Sequence, residues 1–378
     1  MAQQQSAIDL PGSTGIPRSL SDRPFMVRLL VHSGRFMVSK PLGGFGVIVI
    51  ALVVFAALSA DLISRYDPTE SFVVDKPACT AEQVKQIAVV GDPPGRTIET
   101  HPPIDVCFDP VLAEIAQDEP LLRLELTTKS PDRIQTGKRT LISESPSADH
   151  WLGTDLSGRD LWSRIIYGSQ LALVIGLGAS LVAVVFGTLL GIVSAYFGGS
   201  IDMVVQRLMD SFQAFPPFIL LLLLTQTVDN PSKWLLAVFL GIVGVALVTR
   251  IVRSAVLAAR QEVYVLAART IGAHDVRIML RHILPNIFSP IIVVFTSSIG
   301  AYILAEAGLA FIGLGDPVAI SWGKMVEEGR RLGPTKPLMA LFVGSALTVT
   351  VLGFNLAGDA LRDVLDPRLR GRGGRAGF

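Results

Sequence analysis

The stretch LALVIGLGASLVAVVFGTLLGIVSA, residues 171–195, contains no charged side chain. An α-helix rises about 1.5 Å per residue, and roughly 20 apolar residues cross a hydrocarbon core of about 30 Å, so this run is long enough to span. A helix packed on a soluble domain would keep one polar face, and this one keeps none. Residues 42–60, 287–305 and 337–357 are equally free of charge. Two shorter runs, 212–228 and 234–248, are separated only by Asp229, Asn230, Pro231, Ser232 and Lys233, which reads as a tight membrane hairpin. Pro216 and Pro217 predict a kink in the first of them, either a packing feature or a hinge, because neighbouring helices can satisfy the freed carbonyls. The expected fold class is an all-α polytopic membrane protein with six transmembrane helices.

Composition agrees. Of 378 residues, 50% are hydrophobic and 17% charged, and mean hydropathy is +0.51, well above that of a soluble domain. Lys+Arg number 33 against 32 Asp+Glu, and the arginines fall in short blocks between apolar runs, so nucleic acid is excluded as a partner. Three of those blocks orient the chain: Arg18, Arg23, Arg28, Arg35 and Lys40; Arg250, Arg253, Arg260, Arg269, Arg277 and Arg281; and Arg362, Arg368, Arg370, Arg372 and Arg375. All three lie on one side of a six-pass chain, which the positive-inside rule makes cytoplasmic together with both termini. The loop 312–336, with Lys324, Arg330, Arg331 and Lys336, dissents, though Asp316, Glu327 and Glu328 accompany these charges. The first span lacks a small-residue cleavage site and is expected to stay as an anchor. The expected organisation is a cytoplasmic segment 1–41, transmembrane helix 1 at 42–63, an extracytoplasmic insertion with a motif before helix 2 at 64–168, a membrane core at 169–361 with a cytoplasmic loop at 254–286, and a cytoplasmic tail at 362–378.

Residues 67–147 have ordinary soluble composition and are expected to form a small α+β domain, with β-type runs at 86–90 and 121–128 and a short helix at 111–117. Its Cys79 and Cys107 are the chain's two cysteines. Outside the cytoplasm a disulfide between them would stabilise such a domain by about 3 kcal/mol in the chain-entropy model; two free thiols are the alternative. His101 lies between them, but one His and two Cys lack a fourth ligand, and no metal site is expected.

The cytoplasmic loop holds Val263, Leu266, Ala267, Thr270 and Ile271 at helical spacing, then Gly272, then Ile278, Ile283 and Leu284 before Pro285. This reads as a short helix, a turn and a second helix returning to the membrane. Either it offers a knob to a partner below, or it is an amphipathic helix lying on lipid. Among charged residues near the membrane, Asp202 and Arg207 read as a solvated pair, and Glu306 as a hydrated group near the outer interface, more suited to packing or orientation there than to substrate contact. Trp151, Trp162, Trp234 and Trp322 fall near outer boundaries, as interfacial anchors do.

Ala267-Ala268 followed by Gly272, then Leu284-Pro285, resembles the EAA signature of permease subunits of bacterial binding-protein-dependent ABC importers. Leu266 stands where the signature has its Glu, so no ion pair of that Glu carries over. His150-Trp151-Leu152-Gly153-Thr154-Asp155 with Gly158-Arg159-Asp160 resembles the segment before the second span in dipeptide, oligopeptide and nickel permeases. Glu306 through Gly315, Ser321-Trp322-Gly323, and the closing Asp359 to Arg368 are similar to the same subfamily. The likeness covers 40–68 and 146–370, whereas 69–145 exceeds the family's usual first outer loop.

The resemblance implies that Glu262, Leu266, Ala267, Ala268, Arg269, Gly272, Ala273, His274, Leu284 and Pro285 form a coupling helix docked on an ATPase. It makes Gly153, Thr154, Asp155, Gly158, Arg159, Asp160 and Glu306 an outer motif. Implied partners are a second homologous permease in a heterodimer, two ABC ATPase subunits, an extracytoplasmic solute-binding protein and the lipid bilayer of a bacterial inner membrane. No G-x-x-x-x-G-K-[ST] loop, G-x-S-x-G elbow or H-E-x-x-H occurs, so the chain is read as no enzyme and without cofactor, ATP and Mg being held by the ATPases. The rival reading is a membrane-anchored sensor or assembly protein whose outer domain binds a ligand.

Overall fold

The computed structural model describes residues 41–75, 138–140, 144–228, 230–333 and 337–365. In chain order the helices are α1 (Pro41–Leu58), α2 (Ala60–Ile63), α3 (Leu161–Phe197), α4 (Gly199–Gln213), α5 (Pro217–Gln226), α6 (Lys233–Ala259), α7 (Val263–Thr270), α8 (Asp275–Arg277), α9 (Phe288–Phe311), α10 (Trp322–Leu332) and α11 (Pro337–Leu365). A π-helical turn, Ile278–Ile283, follows α8. Strands β1 (Val73–Asp75) and β2 (Lys138–Thr140) pair antiparallel, with Val73 opposite Thr140. They bring together the two ends of the insertion. Its expected α+β body, including Cys79, Cys107 and His101, lies outside the described residues.

Among the described residues five helices, α1, α3, α6, α9 and α11, are long and apolar enough to cross a membrane. The expected span at 212–228 falls on a bent pair, in which α4 and α5 meet at 83°, and the pair makes a sixth span if the two are taken together. The cause of the bend is the Pro216-Pro217 pair. A residue before proline is pushed out of the α region, and Pro216 sits extended at φ −55°, ψ 129°. Pro217 then opens α5 at a position that needs no N–H donor. α4 is amphipathic, with Met203, Val204 and Leu208 exposed and Asp202 and Asp210 held by α6.

The second span is also longer than its apolar run. α3 starts at Leu161 because the Asp160 side chain accepts from the Ser163 amide at 2.9 Å, an N-cap. Its 37 residues make a rod of about 55 Å. Ser163, Arg164, Tyr167 and Gly168, expected ahead of the span, occupy its first turns.

α3 and α6 pack along most of their length through small residues. A Cβ on Gly187 would come within 2.6 Å of Val248 Cβ, one on Gly191 within 2.8 Å of the Thr249 carbonyl oxygen, and one on Gly241 within 2.5 Å of Val182 Cβ. Such close approach replaces the hydrophobic drive that lipid cannot supply. The buried clusters run from the Leu161 end of α3 (Leu161, Ile303, Trp322, Met325) through its middle (Ile175, Leu236, Leu240, Leu309) to its Phe197 end (Val252, Val256, Ile278, Ile283). Phe55, Leu181, Phe186 and Leu189 stay exposed on the apolar outside.

Gly191→Leu is expected to lower stability by about 1–3 kcal/mol through overpacking, whereas Gly344→Leu, where no atom lies within 4 Å, should be neutral. Thermal unfolding of the two variants in lipid nanodiscs checks this; equal melting temperatures would contradict the close approach.

Candidate functional site

The predicted residues gather at two opposite ends of α3. At the Phe197 end, α7 rises from Glu262, which occupies the N-cap position without a side-chain capping bond. The chain reverses at Gly272, whose φ of +79° a side chain would strain. His274 precedes α8, and the π-helical turn leads through Leu284 and Pro285 into α9. The helix, turn and return expected of this loop are present.

Its two faces differ from the expectation in one respect. Val263 is 78% exposed, Leu266 51% and Ile271 84%, and Ala267 and Thr270 share that outward stripe. Val265 and Ala268 point the other way and are buried against Ile278, Ile283, Val256 and Tyr196. Ala268, expected at a docking surface, belongs instead to the segment's own core. The reason is periodicity, since positions three apart share a face and an eight-residue helix carries two apolar stripes. Ala273 and Leu284 pack partly on the same core, while Glu262, Arg269, Gly272, His274 and Pro285 are exposed.

Polar bonds fasten this segment to the bundle. The Tyr196 hydroxyl, at the end of α3, donates to Asp275 Oδ1 at 2.6 Å, and the Arg269 guanidinium lies 5.1 Å from the Tyr196 ring centre. Arg260 Nη1 donates to the Ala195 carbonyl at 2.7 Å. Asp202 is held by Arg253 through two bonds of 2.7 and 2.5 Å, and Asp210 by Arg250 at 2.6 Å. The Asp202–Arg207 pair read from sequence is therefore corrected. Arg207 lies 3.7 Å from Asp210, and Asp202 turns inward to α6.

At the Leu161 end of α3 the motif expected before the second span folds on itself. Thr154 bridges to Asp160, and the turn uses Gly153 at φ +83° and Gly158 at φ +75°. Asp155 is fully buried. It accepts from the Ser157 and Arg159 amides at 2.8 and 2.9 Å and from Arg159 Nε at 2.7 Å. Arg164 Nε sits 3.3 Å from the same carboxylate. Asp160 takes His150 Nδ1 at 2.9 Å and the Ser163 hydroxyl at 2.8 Å besides capping α3. Arg159 reaches Glu328 on α10 at 3.6 Å. Burial holds the Glu328 carboxyl above its ordinary range against the pull of Arg164 and Arg159. The arrangement is a latch of buried charges joining the start of α3 to α10, in which Asp155 is fully bonded while Arg164 Nε and Glu328 Oε2 have no hydrogen-bond partner among the described residues.

Glu306 lies apart from that latch, 4% exposed, with Oε1 unpartnered among the described residues. The hydrated group expected there is thus corrected, because Ser321-Trp322-Gly323 folds over it. The Gly323 backbone comes so close to α9 that a Cβ would lie 2.0 Å from the Ala307 carbonyl oxygen. Trp322 is no interfacial anchor either: it is 4% exposed, and its Nε1 donates to the Ile165 carbonyl at 3.0 Å. Trp151 and Trp234 do face outward. A cavity of about 490 Å³ is lined by Phe311, Ser321, Lys324, Glu327 and Arg330, among others. No group of three or more His, Cys, Asp or Glu able to hold a metal occurs among the described residues.

Asp155→Asn leaves Arg164 buried beside a neutral amide and is expected to cost about 3–5 kcal/mol. Pairing it with Arg164→Met should recover most of that loss. Melting temperatures of the single and double variants check both statements, and an unaltered single variant would contradict the latch.

Residues 187–371 match the family described as binding-protein-dependent transport system inner membrane component. The chain is 42% identical over 228 residues to the dipeptide transport system permease protein DppC of Alkalihalophilus pseudofirmus, a match covering 60% of this chain and 75% of that one. It is 40% identical over 231 residues to a putative peptide transport system permease protein of Brucella suis, covering 61% and 77%. With the glutathione transport system permease protein GsiD of Pectobacterium atrosepticum the identity is 40% over 230 residues, covering 61% and 76%. These relatives favour a transporter over a sensor or assembly protein. The chain belongs to the inner membrane components of binding-protein-dependent transport systems, and it is a multi-pass permease subunit of an ABC importer.

Proposed function

We propose that this subunit forms half of the translocation pathway for peptides or a closely related solute, and that α7, the Gly272 turn and α8 are its coupling element. A second, homologous permease completes the pathway as a heterodimer. Two ATPase subunits bind below, holding the ATP and Mg that this chain has no phosphate loop to hold, and a solute-binding protein delivers from outside. Both termini lie in the cytoplasm, a reading that three arginine-rich segments support. Solute moves inward when closure of the ATPases displaces the coupling elements and reverses access between the two sides. The names of the relatives, dipeptide, peptide and glutathione permeases, support the solute class.

The observation that carries the reading is the outward stripe of Val263, Leu266, Ala267 and Ile271 on a segment whose opposite face is locked into the bundle. A surface helix serving lipid alone has no need of a rigid seat; a docking knob does. The insertion at 69–145, with a Cys79–Cys107 disulfide, is assigned to contact with the binding protein or the partner permease, because it interrupts the family pattern at the outer mouth.

The test replaces residues that the fold leaves free. Ala267→Trp adds bulk on the exposed stripe, and Gly272→Pro forces φ near −65° on a turn that needs +79°. Both variants should insert in the membrane, yet lose about tenfold or more of binding-protein-stimulated ATP hydrolysis in reconstituted complexes, a coupling loss of about 1.4 kcal/mol. Unchanged stimulation and transport in Ala267→Trp would place the segment on lipid instead. Separately, deletion of 75–140 is expected to leave ATPase docking intact while weakening transport at low solute concentration; normal uptake there would assign the insertion another role.

A further inference from the structure

The inner and outer assemblies are joined by one continuous helix. α3 runs without a break from Leu161 to Phe197. Its first turn is capped by Asp160 and tied by Arg164 to Asp155. Its last turn contains Tyr196, which is 5% exposed and held by both legs of the cytoplasmic segment, Arg269 of α7 over its ring and Asp275 of α8 at its hydroxyl. Other bonds near that end are Arg260, the residue after α6, to the Ala195 carbonyl, and two with α4, the Ser194 hydroxyl to Asp202 and Gln206 Nε2 to the Ser194 hydroxyl. Tyr196 is thus the side chain through which α7 and α8 make these polar contacts with α3.

We infer that Tyr196 is the positioning residue that passes displacement of α7 and α8 to α3, and that α3 carries it as a rod to the Asp155–Arg159–Arg164 latch. The inference rests on the coupling role proposed above and adds the route. A helix whose two ends are both clamped moves as a unit, so a shift at Tyr196 reaches the outer latch along the chain itself and needs no relay of separate side chains. Trp151, 56% exposed and 5.6 Å from Trp162 on α3, sits where such movement emerges.

The test uses the full transporter reconstituted with its ATPases and binding protein. Tyr196→Phe keeps the buried ring and removes the bond to Asp275; Asp275→Asn alters the same bond from an exposed residue. Each variant should lower solute transported per ATP hydrolysed by about fivefold or more, within the range of a coupling free energy, and the double variant should be no worse than either single one. Oxidative footprinting of Trp151 by mass spectrometry should respond to ATP in the parent complex and lose that response in both variants. Parent-like transport per ATP, or a parent-like footprint response, in assembled variants overturns the route while leaving the coupling role in place. A parent complex without binding-protein-stimulated hydrolysis overturns the coupling role itself. If Tyr196→Phe alone fails to assemble, Asp275→Asn carries the test; failure of both to assemble makes the pair a fold contact and overturns the inference.

Discussion

Apolar helices gain nothing from hiding apolar surface when lipid already surrounds them, so α3 and α6 associate through the close approach that Gly187, Gly191 and Gly241 permit. Everything functional hangs on that contact. Because the two helices lie side by side, Arg250 and Arg253 of α6 reach Asp210 and Asp202 of α4, and Arg260 reaches the end of α3. The segment 263–283 then folds onto a surface built jointly by both helices, with Val265, Ala268, Ile278 and Ile283 completing the cluster around Val252 and Val256.

Charge is spent differently at the two ends of α3. At the Leu161 end the carboxylate of Asp155 is enclosed by two backbone amides and two guanidinium groups, a degree of satisfaction that suits a fixed structural element. At the Phe197 end the Asp210–Arg250 and Asp202–Arg253 pairs are partly exposed, where solvent weakens each one.

Much of this was legible in the sequence. Uncharged runs near 20 residues leave little choice but helices across a membrane, and the apolar spacing with Gly272 located the helix, turn and return at 263–285. What escaped has physical causes. A Pro-Pro pair inside an apolar run reads equally as kink or break, and only neighbouring packing decides. α3 starts earlier than hydropathy suggests because its opening turn is polar and capped by Asp160. Val263, Leu266, Ala267 and Ile271 compete with Val265 and Ala268 as the buried face of α7, and tertiary contact chooses the latter. Arg207, close in sequence, looked like the partner of Asp202, while the true partner, Arg253, is 51 residues away. The burial of Glu306 and Trp322 depends on α10 folding back over α9, which no local pattern announces.

The central claim is that the segment around Gly272 meets an ATPase. It is tested most directly by a photo-cross-linking side chain at His274, an exposed position beside the turn, activated in membranes of cells expressing the whole transporter. The account predicts an adduct with a subunit that carries a nucleotide-binding phosphate loop, absent when the same group is placed at Trp151 on the outer side. Adducts with lipid alone, under conditions where the complex transports solute, would contradict it.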